Sequence, residues 1–94
     1  MKMNFEWDEE KAKDNLKKHR VSFDEATAVF IDAFSITILD SDQLVGEQRY
    51  IDIGSCESGR VLVVVYTERG RNIRIISCRK ATLLERKLYE ESRE

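Results

Sequence analysis

The stretch RVLVVVYTERGRNIRIISCRK, Arg60 to Lys80, holds the fold and poses its main question. Val61 to Val65 is a continuous run of branched apolar residues, which predicts a central strand buried on both faces. Glu68-Arg69-Gly70-Arg71 breaks the run with a glycine. Asn72 to Cys78 then resumes strand composition, so the whole reads as an antiparallel hairpin. Strict alternation along the second strand places Asn72, Arg74, Ile76 and Cys78 on one face and Ile73, Ile75, Ser77 and Arg79 on the other. The question is one of charge: Arg69, Arg71, Arg74, Arg79 and Lys80 fall within twelve residues. Like charges this close repel, and a negatively charged partner relieves the repulsion.

Working outward, the segments SITIL (35–39) and QRYIDI (48–53) are also strand-like. Loops containing Gly46, Gly59 and Gly70 separate the strands into a meander. Upstream, Asp8 is an N-cap followed by Glu9 and Glu10, and Lys17, Lys18 and His19 close the last turn of a helix over about 9–19. Ser22 and Glu25 form a capping-box pair before Phe23, Ala26, Val29 and Phe30, which share the face of a second helix. Thr82 and Glu85 repeat that signature before a terminal helix carrying Leu84 and Leu88. Met3, Phe5 and Trp7 alternate and allow a short first strand. The expected architecture is α+β: a small antiparallel sheet of about four strands, two N-terminal helices and one C-terminal helix, in one domain over 1–94.

Composition narrows function. The 94 residues are 41% hydrophobic and 36% charged, with no proline. No apolar run spans a bilayer and no secretion signal is evident, so a cytoplasmic protein without membrane contact is expected. Cys56 and Cys78 lack partners at metal-ligand spacing and read as ordinary strand residues. Net charge is −2, but residues 1–59 carry seven Lys/Arg against thirteen Asp/Glu and residues 60–94 carry nine against five. The second part therefore supplies a basic surface.

Arg74 sits mid-strand among apolar residues and needs a partner, either a carboxylate such as Glu47 or Asp52 or a phosphate oxygen. Guanidinium forks suit phosphate, and the clustering of Arg69, Arg71, Arg74, Arg79 and Lys80 points to RNA. Tyr66 and Tyr89 are candidates to stack on unpaired bases. For cleavage, the RNA's own 2′-hydroxyl can attack the adjacent phosphate. Glu68 or His19 would then move the proton, and Arg69, Arg74 or Arg79 would stabilise charge, with no metal or cofactor required. Each has a plainer reading: Glu68 as a turn carboxylate, His19 as a cation at a helix C-terminus, each tyrosine as a core-edge residue. A non-catalytic nucleic-acid or protein-binding module using the same surface is the alternative.

The motifs FEWDEEKAKDNLKKHRVSFDEATAVF (5–30) and RVLVVVYTERGRNIRIISCRKATLLERKLYEE (60–91) together resemble the BrnT family of bacterial toxins. That resemblance implies a RelE-like fold and metal-independent ribonuclease activity that arrests growth. It also implies a toxin–antitoxin hetero-oligomer, in which a BrnA-type antitoxin neutralises the toxin and alone contacts operator DNA. The family's functional pattern falls on His19, Tyr66, Glu68, Arg69, Arg74, Ser77, Arg79 and Lys80. Two positions depart from it. Arg20 stands where Gly usually follows Lys-His, and must turn left-handed or end the helix otherwise. Cys78 replaces a common alanine.

Overall fold

The computed structural model describes residues 3–40 and 46–93. Strand β1 (Asn4–Glu6) leads into α1 (Glu9–His19), then the single turn α2 (Phe23–Ala26) and a 3₁₀ segment (Thr27–Ile31). Strands β2 (Ile36–Leu39), β3 (Arg49–Ser55), β4 (Val61–Arg69) and β5 (Asn72–Lys80) follow, and α3 (Leu83–Ser92) ends the described chain. The expectation of about four antiparallel strands is corrected. The sheet has five, in the order β1-β5-β4-β3-β2, and is mixed because β1 lies parallel to β5. The alternation of Met3, Phe5 and Trp7 allows this short first strand, but its parallel place beside β5 is set by tertiary pairing alone. The second helix is also shorter than expected, since its helical turns tighten to 3₁₀ after Ala26.

The helix boundaries follow local chemistry. Asp8 accepts from the Glu10 and Lys11 amides. Thr82 and Glu85 form a complete reciprocal box. At Ser22 only half of the box exists: its hydroxyl accepts from the Glu25 amide, while the Glu25 carboxylate turns instead to Arg60, Cys56 and Ser58. Arg20 takes the left-handed conformation at φ 59°, and its amide caps the Leu16 carbonyl.

One sheet face packs beneath α1, α2 and the 3₁₀ segment, where Val21, Phe23, Ala26 and Val29 meet Leu62, Val64, Ile75 and Cys78. β3 comes so close to this layer that a Cβ on Gly54 would stand 2.9 Å from Val29 Cγ1. The other face is covered by α3 at one end only, where Tyr89 packs on Ile53, Val61 and Val63. Tyr89 donates to Asp32 Oδ2 at 2.5 Å, and the Ser55 amide reaches the same oxygen at 2.8 Å, so α3 is fastened to both layers.

The hairpin between β4 and β5 turns on Gly70 and Arg71, with Gly70 at φ 59° supplying the positive φ that a two-residue turn needs at its first position. The pairing then departs from strict alternation. Tyr66 opposes Ile75 and Val65 opposes Ser77, so Ile76 is an extra residue in β5, a β-bulge. The bulge explains why Ile75 and Cys78 are both buried against the helices, although alternation puts them on opposite faces.

Beyond Arg74, no strand among the described residues lies on the outer side of β5. Asn15 takes that place. Its Oδ1 accepts from the Cys78 amide at 3.1 Å, and its Nδ2 donates to the Cys78 carbonyl at 2.9 Å and to the Val21 carbonyl at 3.0 Å. One buried carboxamide thus pairs with the strand as a neighbouring peptide would. Asn15→Leu takes the side-chain partner from the Cys78 amide and carbonyl and leaves the Val21 carbonyl only a weak thiol donor, and is expected to lower stability by at least about 2 kcal/mol. Urea unfolding checks this, and a loss below about 0.5 kcal/mol would contradict the role.

Candidate functional site

The half of the second face that α3 leaves open carries the charged residues. Three of them lie in register with Thr67 across four strands: Arg49 on β3 opposes Thr67 on β4, Thr67 opposes Arg74 on β5, and Arg74 opposes Glu6 on β1. Arg69 and Asn72 form the next row toward the hairpin turn. A cavity of about 360 Å³ opens here, lined by Lys11, Glu47, Arg49, Thr67, Arg69, Arg74 and Ile76. Lys11 lies one turn before Asn15 on the same side of α1, which brings it over the exposed edge of β5. The open half continues as an apolar strip, Ile51, Val65 and Ile76 with Ser77, until it reaches Arg79 beside α3.

Each arginine that the sequence groups together on the strands meets a different carboxylate. Arg69 gives Nε and Nη2 to Glu47, with the shortest bond 2.9 Å. Arg79 gives Nη1 and Nη2 to the two oxygens of Glu85, at 2.8 and 2.9 Å. Arg74 gives only Nη1, to Glu6 Oε2 at 2.8 Å, while Asn72 Nδ2 donates to Glu6 Oε1 at 3.0 Å. Its Nε and Nη2 make no hydrogen bond among the described residues. The partner of Arg74 is therefore neither Glu47 nor Asp52. Asp52 lies on the covered face, where burial raises its pKa and Tyr66 donates to it at 2.9 Å.

The predicted residues separate in space. Arg69, Arg74 and Ser77 belong to the open half, and Arg79 stands at its far end, roughly 15 Å from Arg74 along the strand. Arg71 is on the hairpin turn and exposed. Glu68 and Lys80 pair with Ile73 and Leu62 and so point to the opposite face. His19 is exposed at the far end of α1, eight residues and about 12 Å beyond Lys11. Tyr66 is only 8% exposed, stacked on Tyr50 and edge-on to Phe30. Burial and then the Asp52 charge push its hydroxyl pKa up. Tyr89 is 2% exposed beneath α3. Neither tyrosine presents a ring to the open half, and none of the strand residues forming that half is aromatic.

Sequence patterns did not point to Lys11, Arg49, Thr67 and Glu6 in this place. Alternation in QRYIDI does set Arg49 on the face of Ile51 and Ile53, a legible signal. What brings Arg49 to Arg74 is the register of three strands, which no local pattern records. Among the described residues, no group of three His, Cys, Asp or Glu is placed to hold a metal ion.

A family model described as "Ribonuclease toxin, BrnT, of type II toxin-antitoxin system" matches residues 7–85. Among solved structures, the chain is similar to the Brucella abortus ribonuclease toxin BrnT, with a TM-score of 0.66 and 21% identity. The match covers 86% of this chain and 99% of that one, and at such identity it speaks for the fold. No curated protein matches the chain in sequence.

The pair at the far end gives a pH signature. Hydrogen bonds from Arg79, above all, hold the Glu85 carboxyl down at about 2, against an ordinary value of 4.5. Because the folded value is depressed, the stabilisation is complete above pH 4.5 and is lost as pH falls from there toward 2. Glu85→Gln should therefore be less stable than wild type at pH 7 by about 1 kcal/mol, allowing for the solvent exposure of Arg79. Urea midpoints should converge below pH 4.5 and meet near pH 2. A difference that does not change with pH would contradict the assignment.

Proposed function

Since the chain belongs to the BrnT family of ribonuclease toxins of type II toxin–antitoxin systems, we propose that its open half-sheet binds single-stranded RNA and cleaves it without a metal ion. The observation that carries this reading is the cavity with Arg49, Arg69 and Arg74 on its wall, where the Nε–Nη2 edge of Arg74 is unfilled among the described residues. A guanidinium edge of that kind matches two oxygens of a phosphodiester. The apolar strip beyond it gives the bases a surface, and Arg79 lies where a later phosphate of the same strand passes.

In the proposed reaction the 2′-oxygen attacks the adjacent phosphorus. The bond from phosphorus to the 5′-oxygen of the next nucleotide breaks, leaving a 2′,3′-cyclic phosphate and a free 5′-hydroxyl. Glu47 and Lys11 are the proton-transferring side chains on the described cavity wall. Glu47, oriented by Arg69, takes the 2′-hydroxyl proton, and the Lys11 ammonium supplies one to the departing 5′-oxygen. Arg74 and Arg49 stabilise the charge that gathers on the phosphoryl oxygens. Glu68 and His19, on the opposite face and at the far end of α1, have no part in this version. The reading takes the chain as one RelE-like unit whose BrnA-type antitoxin covers the site, forms a hetero-oligomer with it and makes the operator contacts.

Purified protein is expected to cut RNA in EDTA, and its expression without antitoxin to stop bacterial growth. Arg74→Ala should lower the cleavage rate at least about 100-fold, a far larger loss than Lys80→Ala. Intact RNA together with unimpaired growth would refute the proposal. RNA retarded in a gel but never fragmented would favour the non-catalytic binding module instead.

A further inference from the structure

Among the arginines Arg60, Arg69, Arg74 and Arg79, the manner of pairing differs, and the difference is informative. In Arg69 and Arg79 the carboxylate takes two nitrogens side by side and fills one edge of the fork. Arg60 likewise gives Nε and Nη2 to Glu25. Among the described residues, Arg74 alone of these four is held by a single nitrogen, with no partner on its Nε–Nη2 edge, and it lines the cavity. Glu6 achieves this because its two oxygens serve different donors. Oε1 is occupied by the Asn72 amide, which leaves only Oε2 for Arg74.

The backbone supports that division. β1 and β5 run parallel with Glu6 beside Arg74, and Asn72 lies two residues before Arg74 on the same face. Three side chains from two strands are thus fixed against one another. The pair is about two-thirds buried, with side-chain exposures of 28% for Arg74 and 32% for Glu6, so solvent screens it less than the Arg69–Glu47 pair nearby. The Asn72 and Arg74 hydrogen bonds hold the Glu6 carboxyl below the ordinary carboxylate range.

We infer that Glu6, braced by Asn72, is a positioning residue that aims the open edge of Arg74 at a phosphodiester of single-stranded RNA. The inference rests on the proposed function for the identity of the ligand but not for cleavage. Its content is a sign. A carboxylate beside an anion site ordinarily weakens anion binding, so its removal should tighten binding. A carboxylate that orders the binding arginine does the reverse.

The test uses the full chain and a short single-stranded 2′-O-methyl oligonucleotide, which lacks the attacking hydroxyl and stays uncut. Glu6→Ala should bind about tenfold more weakly than wild type despite its added positive charge, as expected for one disordered charge-assisted contact. Its log affinity against log salt should lose about 0.7 of slope, the share of one phosphate. Glu6→Gln, which keeps an acceptor, should recover most of the affinity. Arg74→Lys should be as weak as Glu6→Ala, and the double variant no weaker than either, because both act through one contact. Equal or tighter binding by Glu6→Ala would overturn the inference, as would additive losses in the double variant. Should Glu6→Ala fail a thermal-melting check, Glu6→Leu, which keeps the bulk and removes the acceptor, completes the same cycle with Arg74→Lys. Wild type that binds the oligonucleotide but leaves ordinary RNA whole defeats the ribonuclease reading while the comparison at Glu6 still decides this one. Wild type that binds no oligonucleotide overturns it.

Discussion

The bulge at Ile76 is the constraint from which the rest of the molecule takes its arrangement. Arg79 follows Arg74 by five positions, and in an uninterrupted strand an odd separation sends two side chains to opposite faces. The extra residue restores them to one face and lets Ile75 and Cys78 both enter the helical core. Without it, either the core would lose one of these side chains or a guanidinium would be driven under α1. Bulges re-aim side chains in this way next to functional surfaces. Here the bulged residue itself lines the cavity that Arg74 faces.

A second constraint sets the extent of the open surface. α3 is ten residues long and is fastened at Tyr89 to Asp32, so Tyr89 packs with Ile53, Val61 and Val63, with Ile51 partly buried at the margin of that cluster and Val65 outside it. The free part is bounded by Arg79 with Glu85 at one end and by Arg49, Arg69 and Arg74 at the other. The repulsion expected of five cations in twelve residues is resolved within the chain. Bulge and turn spread them over two faces and a loop, and Arg69, Arg74 and Arg79 each lie against their own glutamate. An acidic protein can in this way carry a basic surface, the carboxylates serving as local partners of the arginines.

Local chemistry was readable in advance wherever it acts within a few residues. Asp8, Ser22 and Thr82 begin helices as their side chains require, and the β-branched runs became β2 to β5. Arg20 adopted the left-handed turn that a missing glycine imposes. Features that depend on partners far along the chain were not readable. The short first strand that Met3, Phe5 and Trp7 allow gives no sign of its parallel pairing with β5, through which Glu6 reaches Arg74 across 68 positions. The bulge has no marker in NIRIISC, since Ile75 and Ile76 are equally apolar and only packing decides which is the extra one. Glu68 faces away from Arg69 by plain strand alternation, and Tyr66 lies in the core, in line with its plainer reading as a core-edge residue.

The central claim is that the half-sheet left open by α3 is where RNA meets the protein, with Arg74 as its principal phosphate contact. Arginine side-chain and backbone NMR, recorded while an uncleavable single-stranded oligonucleotide is added, tests this most directly. The account requires the largest shifts at Arg74 Nε and at the amides of Ile51, Val65, Thr67 and Ile76, with Arg60 Nε unmoved. Shifts gathered instead around His19, Glu68 and Lys80, with Arg74 Nε unchanged, would contradict it.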